Sequence, residues 1–179
     1  MDIEILKFPI GKFTPPEGIS MGQLQTWSRE IQLLPQKLES LVSGMSDEEL
    51  NTRYRPDGWT VKQVVHHLAD SHANACIRFH LALTENNPVI KPYKEALWAD
   101  LPYLQDLSPD ISLQLLSAIH QRWYALLSSL KASDFERTYT HPEYQKVYTL
   151  ALATGSYAWH GAHHLAHIQK LVERNFDRQ

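Results

Sequence analysis

The sequence predicts an all-α protein, a four-helix bundle with long connections and an extended N-terminal arm. Four long stretches carry apolar residues at three- and four-residue steps, helix-start signals stand at or near their beginnings, and long mixed segments separate them. The 179 residues, 43% of them hydrophobic, suffice for one domain over 1–179 with a single sizeable core.

Residues 1–18 make the arm. Its Phe8-Pro9-Ile10-Gly11-Lys12-Phe13-Thr14-Pro15-Pro16 run is rich in prolines, which remove backbone donors and favour extended geometry. The first long helix covers 21–42, with Leu24, Trp27, Ile31, Leu34, Leu38 and Leu41 on one face. Pro35 inside it is expected to bend or split it, because proline has no N–H for the residue four positions back. Ser46-Asp47-Glu48-Glu49 reads as a capping box for a short turn, and Arg55-Pro56-Asp57-Gly58 as a reverse turn.

Thr60 and Gln63 form a second capping box, opening a helix that runs to about residue 84, where Asn86-Asn87-Pro88 stops it. Residues 88–107 read as a long connection with at most one helical turn. Ser108-Pro109-Asp110 starts the third helix, marked by Leu113, Leu116, Ile119, Trp123, Leu126, Leu127 and Leu130. After a short turn capped at Ser133, the 138–148 segment suggests a small hairpin, and the fourth helix fills 149–175 with Gly155 and Gly161 as weak points. The tryptophans Trp27, Trp98, Trp123 and Trp159 read as core or interface residues rather than a cofactor box.

Net charge −3 and dispersed Lys and Arg exclude the basic stripe of a nucleic-acid binder. No stretch reaches the ~18 apolar residues of a membrane span and residues 1–12 lack the pattern of an export signal, so a cytosolic protein without membrane partners is expected. Cys76 is the sole cysteine, which excludes an intramolecular disulfide and thiolate-rich zinc sites. Any metal must therefore rest on carboxylates or on the ten histidines, the most unusual feature of the composition.

Four of those histidines lie in His160-Gly161-Ala162-His163-His164-Leu165-Ala166-His167. Histidines four apart on a helix differ by about 40° around its axis, so both rings can reach one ion. Two pairs compete, and His160 with His164 continues the apolar row of Leu150, Ala153, Tyr157, Ile168 and Leu171. His163 and His167 fall at the stripe's edge, where a surface role or a hydrogen bond to a ligand ring is expected. A pair alone is a weak signal, since it lacks a third ligand. The second long helix carries His66, His67, His72 and His80, and supplies the third ligand. With Val61, Val64, Leu68, Ala75 and Phe79 inward, His67 shares a polar, partly inward flank with Ser71, Asn74 and Arg78, while His66 falls on the opposite flank. Three histidines without a fourth protein ligand leave a coordination position open, the arrangement of catalytic zinc.

Two segments then resemble a known family. Gly58-Trp59-Thr60-Val61-Lys62-Gln63-Val64-Val65-His66-His67-Leu68-Ala69-Asp70-Ser71-His72 and Tyr157-Ala158-Trp159-His160-Gly161-Ala162-His163-His164-Leu165-Ala166-His167-Ile168 are similar to the signature segments of the DinB-like superfamily. The arm and Ala82-Leu83-Thr84-Glu85-Asn86-Asn87-Pro88 resemble its YfiT-type branch of proteins described as metal-dependent hydrolases. The resemblance implies a four-helix bundle, typically a homodimer, with one divalent metal on His67, His160 and His164. Zinc is the first expectation, with nickel or another first-row ion as alternatives, since all accept imidazole.

The resemblance implies a hydrolase in which the ion activates water against a small-molecule substrate. One alternative is a metal-dependent S-transferase using bacillithiol or a similar low-molecular-weight thiol, with Asn74 and Arg78 placed to hold an acidic thiol. Another is a non-catalytic stress protein whose metal ties helices together. Asp70 and His163 are the nearest candidates for a general base, but either can instead orient a ligand ring, and no base is assigned.

Overall fold

The long helices begin where their capping side chains stand. In the computed structural model, which describes residues 3–175, the arm is not extended throughout: Ile3–Lys7 form a helical turn, α1, closed by Phe8 N donating to Glu4 O ahead of the first proline. Helix α2 (Met21–Val42) is capped by Ser20 Oγ accepting from Gln23 N. The short α3 (Asp47–Leu50) and the long α4 (Val61–Thr84) both open on complete capping boxes, Ser46 with Glu49 and Thr60 with Gln63. Two short helices follow, α5 (Glu95–Ala99) and α6 (Tyr103–Asp106), where at most one turn was expected. Gln63 Nε2 donates to Ala99 O and Asp100 Oδ1, and Lys62 Nζ to Gln105 O, so α4 supplies the partners that fix this connection.

Helix α7 (Pro109–Ser129) starts behind Ser108 with Pro109 in its first turn, where a missing N–H does no harm. The turn α8 (Ala132–Phe135) begins earlier than the Ser133 signal suggested, because the Asp134 carboxylate accepts from Lys131 N. The hairpin is present as antiparallel β1 (Thr138–His141) and β2 (Lys146–Thr149), paired from Thr138–Thr149 to His141–Lys146. The final helix α9 (Leu150–Asn175) leaves it directly, with Thr149 Oγ1 accepting from Leu152 N.

The major helix contacts are α2 with α7 and α9, and α4 with α7 and α9. Helices α2 and α4 therefore lie on one diagonal of the bundle, and α7 and α9 on the other. The long segments 43–60 and 130–149 are the crossings that this order requires. Helix α2 runs unbroken through Pro35, so the proline does not split it.

The core has two apolar halves. One gathers Leu38, Val64, Leu68, Leu116 and Ile168; the other gathers Ile31, Phe79, Trp123, Leu127 and Leu150. Phe79 and Trp123 meet edge to face at 5.2 Å in the second. Facing one another inside the bundle, α7, α4 and α9 carry His120, His72 and His160 in contact in that order, with His164 one turn further along α9. Among the described residues no helix is long and apolar enough to cross a membrane.

Candidate metal centre

Helices α4 and α9 are packed neighbours, and their facing sides bring His67, His160 and His164 together. One ring nitrogen from each lies within 4.8 Å of the other two. The Nε2 atoms of His67 and His160 are 3.3 Å apart. Two imidazole nitrogens bound at ~2.0–2.1 Å around a tetrahedral zinc lie about 3.4 Å apart, so the separation fits a shared ion. His164 Nδ1 is buried without a hydrogen-bond partner among the described residues, and the His164 ring packs edge-on to His67 at 4.8 Å and to His160 at 4.6 Å.

Burial holds all three rings neutral. Desolvation pushes His67 down to about 4, and it drives His160 and His164 well below the ordinary histidine value, with the neighbouring histidines adding repulsion. Three neutral imidazoles whose ring nitrogens converge are the donor set of a divalent ion. Among the described residues the group contains no carboxylate or thiol, so three imidazoles could hold an ion with coordination space left over. Trp59 walls one side, with its ring 4.5 Å from His67 and stacked 6.0 Å from His164.

His160 also borders a cleft of about 380 Å³ lined by Ser71, Arg78, Tyr93, Tyr139, His141 and Tyr157. The hairpin contributes Tyr139, His141 and Tyr148 to this wall. Arg78 Nη1 donates to Tyr157 Oη at 2.8 Å. Burial raises the phenols of Tyr93, Tyr139 and Tyr157, so they stay neutral, and the Arg78 charge only partly opposes this at Tyr139 and Tyr157. The cleft therefore offers the Arg78 guanidinium, the Lys94 ammonium, the Glu95 and Glu143 carboxylates and several hydroxyls beside the ligand cluster, suited to a small polar molecule.

The remaining sequence candidates occupy other positions. His66 is buried and bonds Ser112 of α7 at 2.7 Å, so its flank meets a neighbouring helix. His163 and His167 are not surface residues, because the arm covers them. His163 stacks on Trp159 at 4.6 Å and lies 6.0 Å from Phe8. His167 stacks on Tyr54 at 4.0 Å and donates from Nε2 to Lys7 O at 3.1 Å. Asp70 is half-buried, its pKa raised by desolvation, and lies outside the cleft lining. Asn74 spends its amide on Asp70 O of its own helix, which leaves Arg78 as the member of that pair facing the cleft.

Sequence reasoning gave no role to His72 and His120. Both are fully buried and stacked at 4.9 Å, with His72 Nδ1 2.8 Å from His120 Nε2 and His72 Nε2 3.1 Å from His160 Nδ1. A signal existed: His120 completes the row Leu113, Leu116, Trp123 and Leu127, where a polar residue needs a buried partner.

The sequence profile of the DinB superfamily matches residues 30–168. A Bacillus cereus (strain B4264) protein bearing the name "Putative metal-dependent hydrolase" is 50% identical over 169 residues, 94% of this chain and 96% of that protein. A Bacillus anthracis (strain CDC 684 / NRRL 3495) protein of the same name matches with the same identity and coverage. Among solved structures, YfiT from Bacillus subtilis, described as a probable metal-dependent hydrolase with an unusual four-helix bundle topology, superposes with a TM-score of 0.93 at 46% identity, covering 95% of this chain and 97% of that one. A mycothiol-dependent maleylpyruvate isomerase matches at TM-score 0.59 and 16% identity over 78% of this chain and 60% of its own, a likeness of fold alone.

Proposed function

The chain belongs to the DinB superfamily, and from that membership and its histidine geometry we propose that it is a zinc-dependent hydrolase of a small polar molecule. The observation that carries this reading is the convergence of three neutral histidines, with no fourth candidate ligand among the described residues, on the edge of a polar cleft. His67, His160 and His164 would hold the ion. The chemistry a zinc ion would supply there is Lewis acidity toward a carbonyl and a lowered pKa for bound water.

The chain's own side chains then divide the remaining work. Arg78, fixed by its hydrogen bond to Tyr157, presents a cation to a carbonyl or carboxylate oxygen of the substrate. The neutral phenols of Tyr139 and Tyr157 donate or accept hydrogen bonds along the cleft. Trp59 covers part of the His67 and His164 rings.

The test is turnover of an ester, amide and lactam panel by zinc-loaded protein beside the His67→Ala variant. Hydrolysis that disappears in the variant supports the reading. Failure across the panel, with zinc-dependent conjugation of a low-molecular-weight thiol to an electrophile in the same preparation, overturns it in favour of thiol transfer.

A further inference from the structure

A continuous row of hydrogen bonds crosses the core from the ligand cluster to the far side of the bundle. It starts at His160 on α9, passes to His72 on α4 at 3.1 Å and to His120 on α7 at 2.8 Å, and ends where His120 Nδ1 meets the backbone carbonyl of Ile31 on α2. All four long helices contribute one member. The far end has a specific origin. Ile31 O would ordinarily accept from the N–H of residue 35, but Pro35 has none, so its carbonyl is left without a helical donor and His120 fills the place.

That carbonyl gives the row a direction. A carbonyl oxygen only accepts, so His120 must carry its proton on Nδ1. A neutral imidazole has one N–H, which leaves His120 Nε2 as acceptor and requires His72 to donate from Nδ1. His72 Nε2 is then bare and accepts from His160 Nδ1–H. His160 is left with an unprotonated Nε2, the atom 3.3 Å from His67 Nε2. Burial keeps the interior members neutral, since His72 and His120 are almost without solvent contact.

We propose that His72 and His120 are positioning residues for the metal, fixing the ring orientation and tautomer of His160 from the carbonyl that Pro35 frees. They touch neither substrate nor ion. The histidine-to-carbonyl contact common beside metal ligands is here extended by two rings, so that α2 and α7, which carry no ligand, still govern the site. The inference rests on the three-histidine site but not on hydrolysis, and its readouts are tautomers and metal affinity.

The direct test is long-range ¹H–¹⁵N correlation on the folded protein with ¹⁵N-labelled histidine, metal-free and zinc-loaded. The expected result is that His72, His120 and His160 all carry their proton on Nδ1 in both states. A proton on Nε2 of any of the three, or a doubly protonated His72, overturns the proposal. The second test is zinc affinity by chelator competition for His72→Phe and His120→Phe, each first shown to retain helicity. Affinity should fall about 10- to 100-fold for His72→Phe, with mixed His160 tautomers. A folded His72→Phe that binds zinc within about threefold of the parent also overturns it. Because the tautomers are read in the unaltered chain, the first test decides the proposal even where a variant fails to fold.

Discussion

Replacing Gly155 by alanine separates helix propensity from packing in one experiment. Gly155 is buried on α9 beneath Trp27 of α2, and a Cβ there would sit 2.7, 2.8 and 3.0 Å from three carbons of the indole. Propensity alone favours alanine by ~1 kcal/mol at an interior helical position. The packing term opposes it: the indole is rigid, and Phe13 of the arm meets it edge-on at 6.4 Å on another side, so relief requires the helices or the arm to move. Overpacking of this kind costs about 1–3 kcal/mol, leaving a net loss of roughly 1 kcal/mol. For a chain of this size that corresponds to a Tm lower by about 2–4 °C. The assay is thermal unfolding by circular dichroism in excess chelator, so that metal binding does not enter. Gly161→Ala is the control: the three atoms nearest its Cβ all belong to the Leu34 side chain, the closest, at 2.5 Å, being a terminal methyl that can rotate away as an indole cannot, so Tm should fall less. A rise in Tm for Gly155→Ala, as propensity alone demands, would refute the close-contact argument.

Three other changes test separate links. Thr60→Ala removes the side-chain cap of α4 and should lower stability by ~1 kcal/mol, read from urea unfolding; no change would mean the capping box contributes nothing. Stability should fall as pH drops below 6.5, because the unfolded chain takes up protons that buried histidines refuse. For His120, held down at about 4 chiefly by desolvation, the penalty is absent above pH 6.5, about 2 kcal/mol by pH 5, and complete below about 4. Urea midpoints of chelator-treated protein that stay flat from pH 7 to 5 would contradict this. Arg78→Met keeps the length of the side chain but removes its charge and its bond to Tyr157, and should weaken binding of an anionic substrate about tenfold or more with zinc content unchanged; loss of zinc instead would place Arg78 in support of the ligands.

The long helices were legible because their determinants are local. Ser20, Thr60 and Ser108 cap the helices that the apolar spacing marks out, and each lies within three residues of its partner. That His67, His160 and His164 come together was legible only in part: the helix faces set the pair inward and His67 on a partly inward flank, and the family resemblance selected the three as a set. Features set by distant segments were not. The burial of His163 and His167 depends on the arm returning over α9, and the turns α5 and α6 depend on partners from Lys62 and Gln63. Pro35 was legible as a disturbance of α2, but its effect is chemical as well as steric: it frees a carbonyl that a histidine from another helix occupies. In the sequence Gly155 is a weak point of α9, whereas the fold uses the missing side chain to seat Trp27.

The most direct test of the metal site is elemental analysis of purified, untagged protein beside the His67→Ala and His164→Ala variants, with circular dichroism confirming that each is folded. The three-histidine site predicts about one equivalent of divalent metal per chain, lost in both variants. Metal retained by both folded variants would contradict that site and, with it, the proposed chemistry.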